Sequence, residues 1–223
     1  MRAPWRTGKI SRMKFLAVLI AVLVVSAALV AVFSGAFRGK AIRVACIGDS
    51  ITELSTFPTD LEELLGCNYY VREFGVTGST VVVNSYTPYL YEPRFSAAKL
   101  FLPDIVVILL GTNDARADNY QSIDEFVADY KQLVGELQAL ESNPKIYLVK
   151  PPPIFENELE LSNDNLVNGV IPRMEQVAND LGLPLIDVYT PLVGHPEYFV
   201  DGVHPNFDGA SVIANQVYKA LTN

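Results

Sequence analysis

The sequence predicts one α/β domain, a three-layer α/β/α sandwich of about five parallel strands, preceded by a separate N-terminal segment. Three observations predict it. From residue 40 onward, short β-branched runs alternate with longer stretches of helical period, the pattern of repeated βαβ units. The middle run, residues 105–110 (IVVILL), is apolar at every position, as expected of a strand covered by helices on both faces. The 223-residue chain, less its first 40 residues, leaves roughly 180, enough for one sizeable core and too few for two.

The elements follow in order. Residues 1–40 form the N-terminal segment, in which residues 15–33 (FLAVLIAVLVVSAALVAVF) carry no charge, long enough to cross a bilayer as a helix. Arg2, Arg6, Lys9, Arg12 and Lys14 precede that run, so the expected orientation leaves the N-terminus in the cytoplasm and the body, residues 41–223, outside it. The segment is expected either to anchor the body to the membrane or to be cleaved as a signal peptide near Ser34-Gly35-Ala36. Strands are expected at 42–47 (IRVACI), 69–74, 105–110, 145–149 and 185–188, with helices near 58–65, 92–101, 122–141, 165–181 and 207–221. Ser122 and Glu125 have the spacing of a capping box, each side chain bonding the other's backbone N–H. In the last helix Ala210, Ile213, Ala214, Val217 and Leu221 share one apolar face.

Composition excludes several functions. Half the residues are apolar and no repeat or low-complexity tract occurs, so disorder and solenoid architectures are unsupported. Residues 1–43 hold eight of the 17 Lys and Arg and no acid, which leaves 9 basic against 25 acidic residues in the rest. A body of that charge repels phosphate backbones, so nucleic acid is not an expected partner. The only membrane contact expected is through the N-terminal helix, and no obligate protein partner is evident. Cys46 and Cys67 are too few for a disulfide framework and read as structural, unbridged residues. The Asp, Glu and His residues show no metal-ligand spacing, so neither a metal nor an organic cofactor is expected.

Ligands of open parallel sheets bind beyond the carboxyl ends of the strands, so the residues there are the candidates. After the first strand comes Gly48-Asp49-Ser50-Ile51-Thr52, a strand-to-helix turn that would present the Ser50 hydroxyl, although these residues also make ordinary turns. After the second comes Gly75-Val76-Thr77-Gly78-Ser79-Thr80, whose glycines let backbone N–H groups approach a ligand. After the third, Gly111-Thr112-Asn113-Asp114 offers an amide that can donate to a developing oxyanion, or else an Asx turn. Between the fifth strand and the last helix, Asp201-Gly202-Val203-His204-Pro205 sets a carboxylate three residues before an imidazole that it can orient. His195 is the only other histidine, and no Asp stands at that spacing from it. Tyr86, Tyr89 and Tyr91 are expected either to wall a sugar site or to pack on the body, and Asp49 and His195 are further candidates for substrate contact.

GDSIT, GVTG, GTND and DGVHP, in this order and at these strand ends, resemble the SGNH (GDSL-like) hydrolase family across nearly the whole body. The resemblance implies a flavodoxin-like sheet and a serine esterase without cofactor, with Ser50 as nucleophile, His204 as base and Asp201 as its orienter. It also implies an oxyanion hole from the Ser50 and Gly78 N–H groups and the Asn113 side chain, with Gly75 as the alternative to Gly78. The phrases KPPPIFE and PLIDVYTPLVGHPEYFVDGVHPN are similar to those of bacterial sialate O-acetylesterase-like and acetylxylan esterase-like members, which implies removal of O-acetyl groups from carbohydrates. A lipid esterase or thioesterase would use the same groups, and a carbohydrate-binding module of this fold would need none of them. The sequence departs from the family pattern at Glu73, where Asn is usual, and at Thr52-Glu53-Leu54, where a Gly is common.

Overall fold

The computed structural model describes residues 16–17, 19–26 and 41–223. Residues 16–17 and 19–26 are helical and exposed, and the rest of the apolar run 15–33 lies outside the described residues. Among the described residues no helix is long and apolar enough to cross a membrane. Ala41–Asn223 forms a compact unit of its own.

Its centre is a five-stranded, all-parallel sheet of order β2-β1-β3-β4-β5. The strands are β1 (Ile42–Gly48), β2 (Tyr69–Gly75), β3 (Ile105–Leu109), β4 (Lys145–Lys150) and β5 (Leu185–Asp187), each at its expected place. The helices are α1 (Ser50–Leu54), α2 (Phe57–Leu65), α3 (Pro93–Leu100), α4 (Phe126–Gln138), α5 (Ile171–Leu181), α6 (Tyr189–Leu192) and α7 (Phe207–Thr222). The period of two along each strand divides the apolar residues between two cores. Ala45 and Ile47 of β1 and Val106 and Ile108 of β3 pack under Phe95 of α3, Phe126, Tyr130 and Leu133 of α4, and Met174 and Val177 of α5. Val44 and Cys46 of β1 and Val107 and Leu109 of β3 face Phe57 and Leu61 of α2 and Ala210, Ile213, Ala214 and Val217 of α7. Every residue of β3 is buried, which accounts for its unbroken apolar run. Cys46 is buried and Cys67 exposed, and both are free thiols.

Two helix starts differ from the expectation. Asn119–Glu125 is a 3₁₀ segment and α4 begins only at Phe126, with Glu125 before it making no side-chain cap. Ser122 has non-helical dihedrals of −101° and 17°, and its hydroxyl accepts from Asn84 Nδ2 at 3.1 Å, so the capping box does not form. Ahead of α5 the chain runs through a single turn, Asn163–Asn165, and a π-helical stretch, Leu166–Val170. Tyr120 packs so closely there that a Cβ on Gly169 would lie 2.3 Å from its hydroxyl.

The register places the site. Gly48 at the end of β1 pairs with Gly75 on one side and Leu109 on the other, so the three strands finish level. The chain leaves β1 outward to β2 and returns across it to β3, and such a reversal opens a crevice at the carboxyl edge.

Candidate active site

At the end of β1 the Asp49 carboxylate accepts from the Ile51 N–H at 2.9 Å and turns the chain directly into α1, whose first residue is Ser50. Burial pushes the Asp49 carboxyl up to about 7, only partly offset by the Ile51 N–H and the Thr112 hydroxyl. Ser50 Oγ lies 2.9 Å from His204 Nε2, across 154 positions of chain. His204 Nδ1 lies 2.7 Å from Asp201 Oδ2. Asp201 Oδ1 accepts from the backbone N–H of Val203 at 3.1 Å and of His204 at 2.8 Å, so one carboxylate holds both the loop and the ring. Partial burial raises the Asp201 pKa, but the His204 N–H, its imidazole and the Val203 N–H together hold it below the usual carboxylate range. An ionised carboxylate only accepts, so Nδ1 carries a ring proton, and in the neutral imidazole Nε2 is then the acceptor toward the Ser50 hydroxyl. A hydroxyl, an imidazole and a carboxylate in such a line can pass a proton away from the oxygen as it attacks a carbonyl.

The Asp201 loop depends on a glycine. Gly202 has φ +84°, its carbonyl accepts from the Phe155 N–H at 2.8 Å, and an added Cβ would lie 2.1 Å from Glu156 O. Only glycine fits both the dihedral and the space.

The two candidate glycines, Gly75 at the end of β2 and Gly78 beyond it, differ in what surrounds their backbone. The Gly75 N–H is bonded to the Glu73 carboxylate at 3.0 Å, whereas Gly78, at φ +79°, lines a cavity of about 210 Å³ together with Ser50, Asn113 and His204. Thr77 between them donates both its N–H and its hydroxyl to Glu53 Oε2, each at 2.7 Å. The two positions that depart from the family pattern, Glu53 and Glu73, thus supply the carboxylates that set the glycine segment. Asn113 Nδ2 donates to Ser79 O at 3.0 Å, which fixes the side-chain amide of a residue that lines the cavity. Asp114 is buried and accepts from the N–H groups of Val81 and Val82 at 2.9–3.1 Å, tying the end of β3 to the segment after β2. Burial raises the Asp114 carboxyl to about 6 against the pull of those N–H groups.

The other candidates are not brought to this cavity. Tyr89 is fully buried and its hydroxyl donates to Phe74 O, because the 3₁₀ turn Tyr89–Tyr91 points it into the core. Tyr86 and Tyr91 are 88% and 67% exposed, and neither lines the cavity, so the three tyrosines form no wall beside Ser50. His195 stacks on Tyr198 at 4.6 Å and bonds Glu197 at 2.8 Å, outside the cavity. Asp49 is the buried cap already described and does not line the cavity. The lining residues that the strand-end reading missed are Thr77, Arg116, Leu159, Leu161 and Val203. Arg116 is gripped by Asp118 through two 2.8 Å hydrogen bonds. Leu159 and Leu161 come from a loop after β4 with no periodic signature.

Residues 46–212 match the GDSL-like lipase/acylhydrolase family. The acetylxylan esterase of Xylanibacter ruminicola is 33% identical over 210 residues, covering 82% of this chain and 44% of that protein. The chain spans about half the length of the curated relatives it matches. A crystal structure of an acetyl xylan esterase, AlAXEase, superposes with a TM-score of 0.66 at 27% identity, over 81% of this chain and 100% of that one. The lipase/acylhydrolase from Enterococcus faecalis, 22% identical over 81% of this chain and 95% of its own, shares the fold with a TM-score of 0.65. With its five-stranded parallel sheet and its matched motifs at the strand ends, the chain belongs to the GDSL-like lipase/acylhydrolase (SGNH) family.

Proposed function

We propose that the protein is a serine esterase that removes short acyl groups, acetyl above all, from carbohydrate esters. The observation that carries this reading is the line from Ser50 Oγ through His204 to Asp201, at 2.9 and 2.7 Å, opening on one cavity. Ser50 attacks the ester carbonyl while His204 Nε2 takes its proton, and the ring then hands that proton to the departing alcohol oxygen. Water repeats the two transfers on the acyl-enzyme and frees the acid. The Ser50 and Gly78 N–H groups and the Asn113 side-chain amide are the donors for the oxyanion.

The size of the cavity supports a short acyl group. About 210 Å³, bounded on one side by Leu159, Leu161 and Val203, lies below the roughly 300–1,000 Å³ of pockets for drug-sized ligands. The similarity to an acetylxylan esterase supports the same choice. On p-nitrophenyl esters of increasing chain length, kcat/KM is expected to fall steadily from acetyl to octanoyl. A rise along that series would overturn the acetyl assignment in favour of a lipid esterase. Asn113→Ala is expected to lower kcat on the acetyl ester by about 100- to 1,000-fold, the usual effect of one oxyanion donor. Turnover within a few-fold of wild type in that variant, with the melting temperature unchanged, would remove Asn113 from the hole.

A further inference from the structure

Resting on the esterase reading, we propose that residues 156–161 divide the site into an acyl cavity and an alcohol groove, and that Glu156 and Glu158 make the groove select esters of uncharged or cationic glycans over acidic ones. A second depression, of about 600 Å³, opens beside Asp201 and Gly202 and is bounded by Glu156, Glu158 and Val200. Leu159 lines both this groove and the cavity around Ser50, so it stands at their boundary.

The partition is built, not loose. Asn157 folds the loop upon itself: its Oδ1 accepts from the N–H of Leu159 and Leu161 at 2.9 and 3.3 Å, and its Nδ2 donates to the carbonyls of Phe155 and Leu161 at 2.8 and 3.0 Å. Glu160 takes φ +59°, a left-handed turn uncommon for a non-glycine residue. One end of the loop is held to the catalytic segment by the hydrogen bond from Phe155 N–H to Gly202 O, and the other pairs Leu161 with Arg116.

The groove adjoins the cavity around Ser50 and His204 through Leu159, close enough for the alcohol part of a bound ester to extend into it. The proton for the departing oxygen comes from His204, and the groove opens along Asp201 and Gly202 of the same loop. Its surface suits a sugar: Leu159 and Val200, 43% and 76% exposed, offer apolar ground for the C–H face of a ring, with carboxylates around them for hydroxyls. No Lys or Arg lines it, and among the described residues neither Glu156 nor Glu158 has a cation within salt-bridge distance. Arg116, on the cavity side of Leu159, is already neutralised by Asp118. A glycan carboxylate entering the groove therefore meets fixed negative charge with no compensation, and the repulsion extends over roughly a Debye length at low salt.

The test compares kcat/KM of the full chain on acetylated xylo-oligosaccharides, which are neutral, and on acetylated oligogalacturonates, which carry a carboxylate on each sugar. The neutral substrate is expected to lead by roughly tenfold or more at low ionic strength, and the lead to shrink as salt is raised toward about 0.5 M. In a Glu156→Gln, Glu158→Gln double variant the ratio of acidic to neutral kcat/KM is expected to rise about 3- to 10-fold. A ratio that salt does not move, or that the double substitution does not move in a folded variant, would overturn the groove assignment. Hydrolysis of p-nitrophenyl acetate by the wild type separates the two readings. If it proceeds while the ratio stays fixed, the groove fails and the esterase stands; if it is absent, both fall.

Discussion

Ser50→Ala is expected to reduce kcat on p-nitrophenyl acetate by about 10⁵- to 10⁶-fold, since removing a nucleophile that acts as a unit with its base costs nearly as much as removing the whole set. What remains would be the few-thousand-fold advantage over water that an oxyanion hole and binding supply alone. The substitution leaves the fold intact on physical grounds. Ser50 Oγ is bonded to His204, the helix cap is made by Asp49, and alanine is the strongest helix former at the first position of α1. Loss of activity with an unchanged melting curve is therefore the expected pair of results. A fluorophosphonate should label the wild type at Ser50 and leave the variant unlabelled. Activity within tenfold of wild type in Ser50→Ala would remove this residue from the chemistry.

Asp201→Asn is expected to lower kcat by about 10⁴-fold, through the proton on the imidazole and not through loss of structure. The side-chain oxygen of asparagine can still accept from the Val203 and His204 N–H groups, so the loop keeps its internal bonds. The other terminus becomes an NH₂ facing His204 Nδ1 where a carboxylate oxygen stood at 2.7 Å. Two donors cannot share that contact, so Nδ1 gives up its proton and Nε2 takes one, and a protonated Nε2 accepts nothing from Ser50. Asp201→Ala tests the same point with the loop bonds also lost, and should add a drop in stability to the loss of turnover. Because the Asp201 pKa lies below that of an ordinary carboxylate, the stability its bonds contribute is complete above the unfolded pKa and is lost as pH falls through the lower, folded one. Near-normal turnover in Asp201→Asn would show that the imidazole is oriented by something other than this carboxylate.

The sheet and most of the site were legible because their causes are local. A parallel strand buried on both faces must be apolar throughout, as residues 105–109 are, and the candidate side chains at strand ends sit beside turn residues that mark them. Four short stretches put Ser50, Asn113, Asp201 and His204 forward as candidates, and the fold brings Ser50, Asn113 and His204 to one cavity with Asp201 bonded to the imidazole. What sequence could not show was direction and competition. Nothing along the chain says that Tyr89 turns inward to Phe74 while Tyr86, three residues earlier, faces solvent. Ser122 had the spacing of a cap, but Asn84, 38 positions away, claims its hydroxyl. Nor does the sequence show that the Glu73 carboxylate takes the Gly75 N–H while Gly78 lines the cavity. The loop bearing Leu159 and Leu161 is shaped by four hydrogen bonds from the single side chain of Asn157, a device without period or motif.

The 154 positions between hydroxyl and imidazole also govern when the protein can begin to work. During synthesis the Ser50 turn and its neighbours after β2 and β3 emerge first, while the imidazole follows β5. A growing chain with only the early strands paired holds a serine with no base, chemically as inert as any surface hydroxyl. On the proposed function, ester turnover requires the loop after β5 to have docked against the Ser50 turn, so its appearance during refolding reports that long-range contact and not collapse alone.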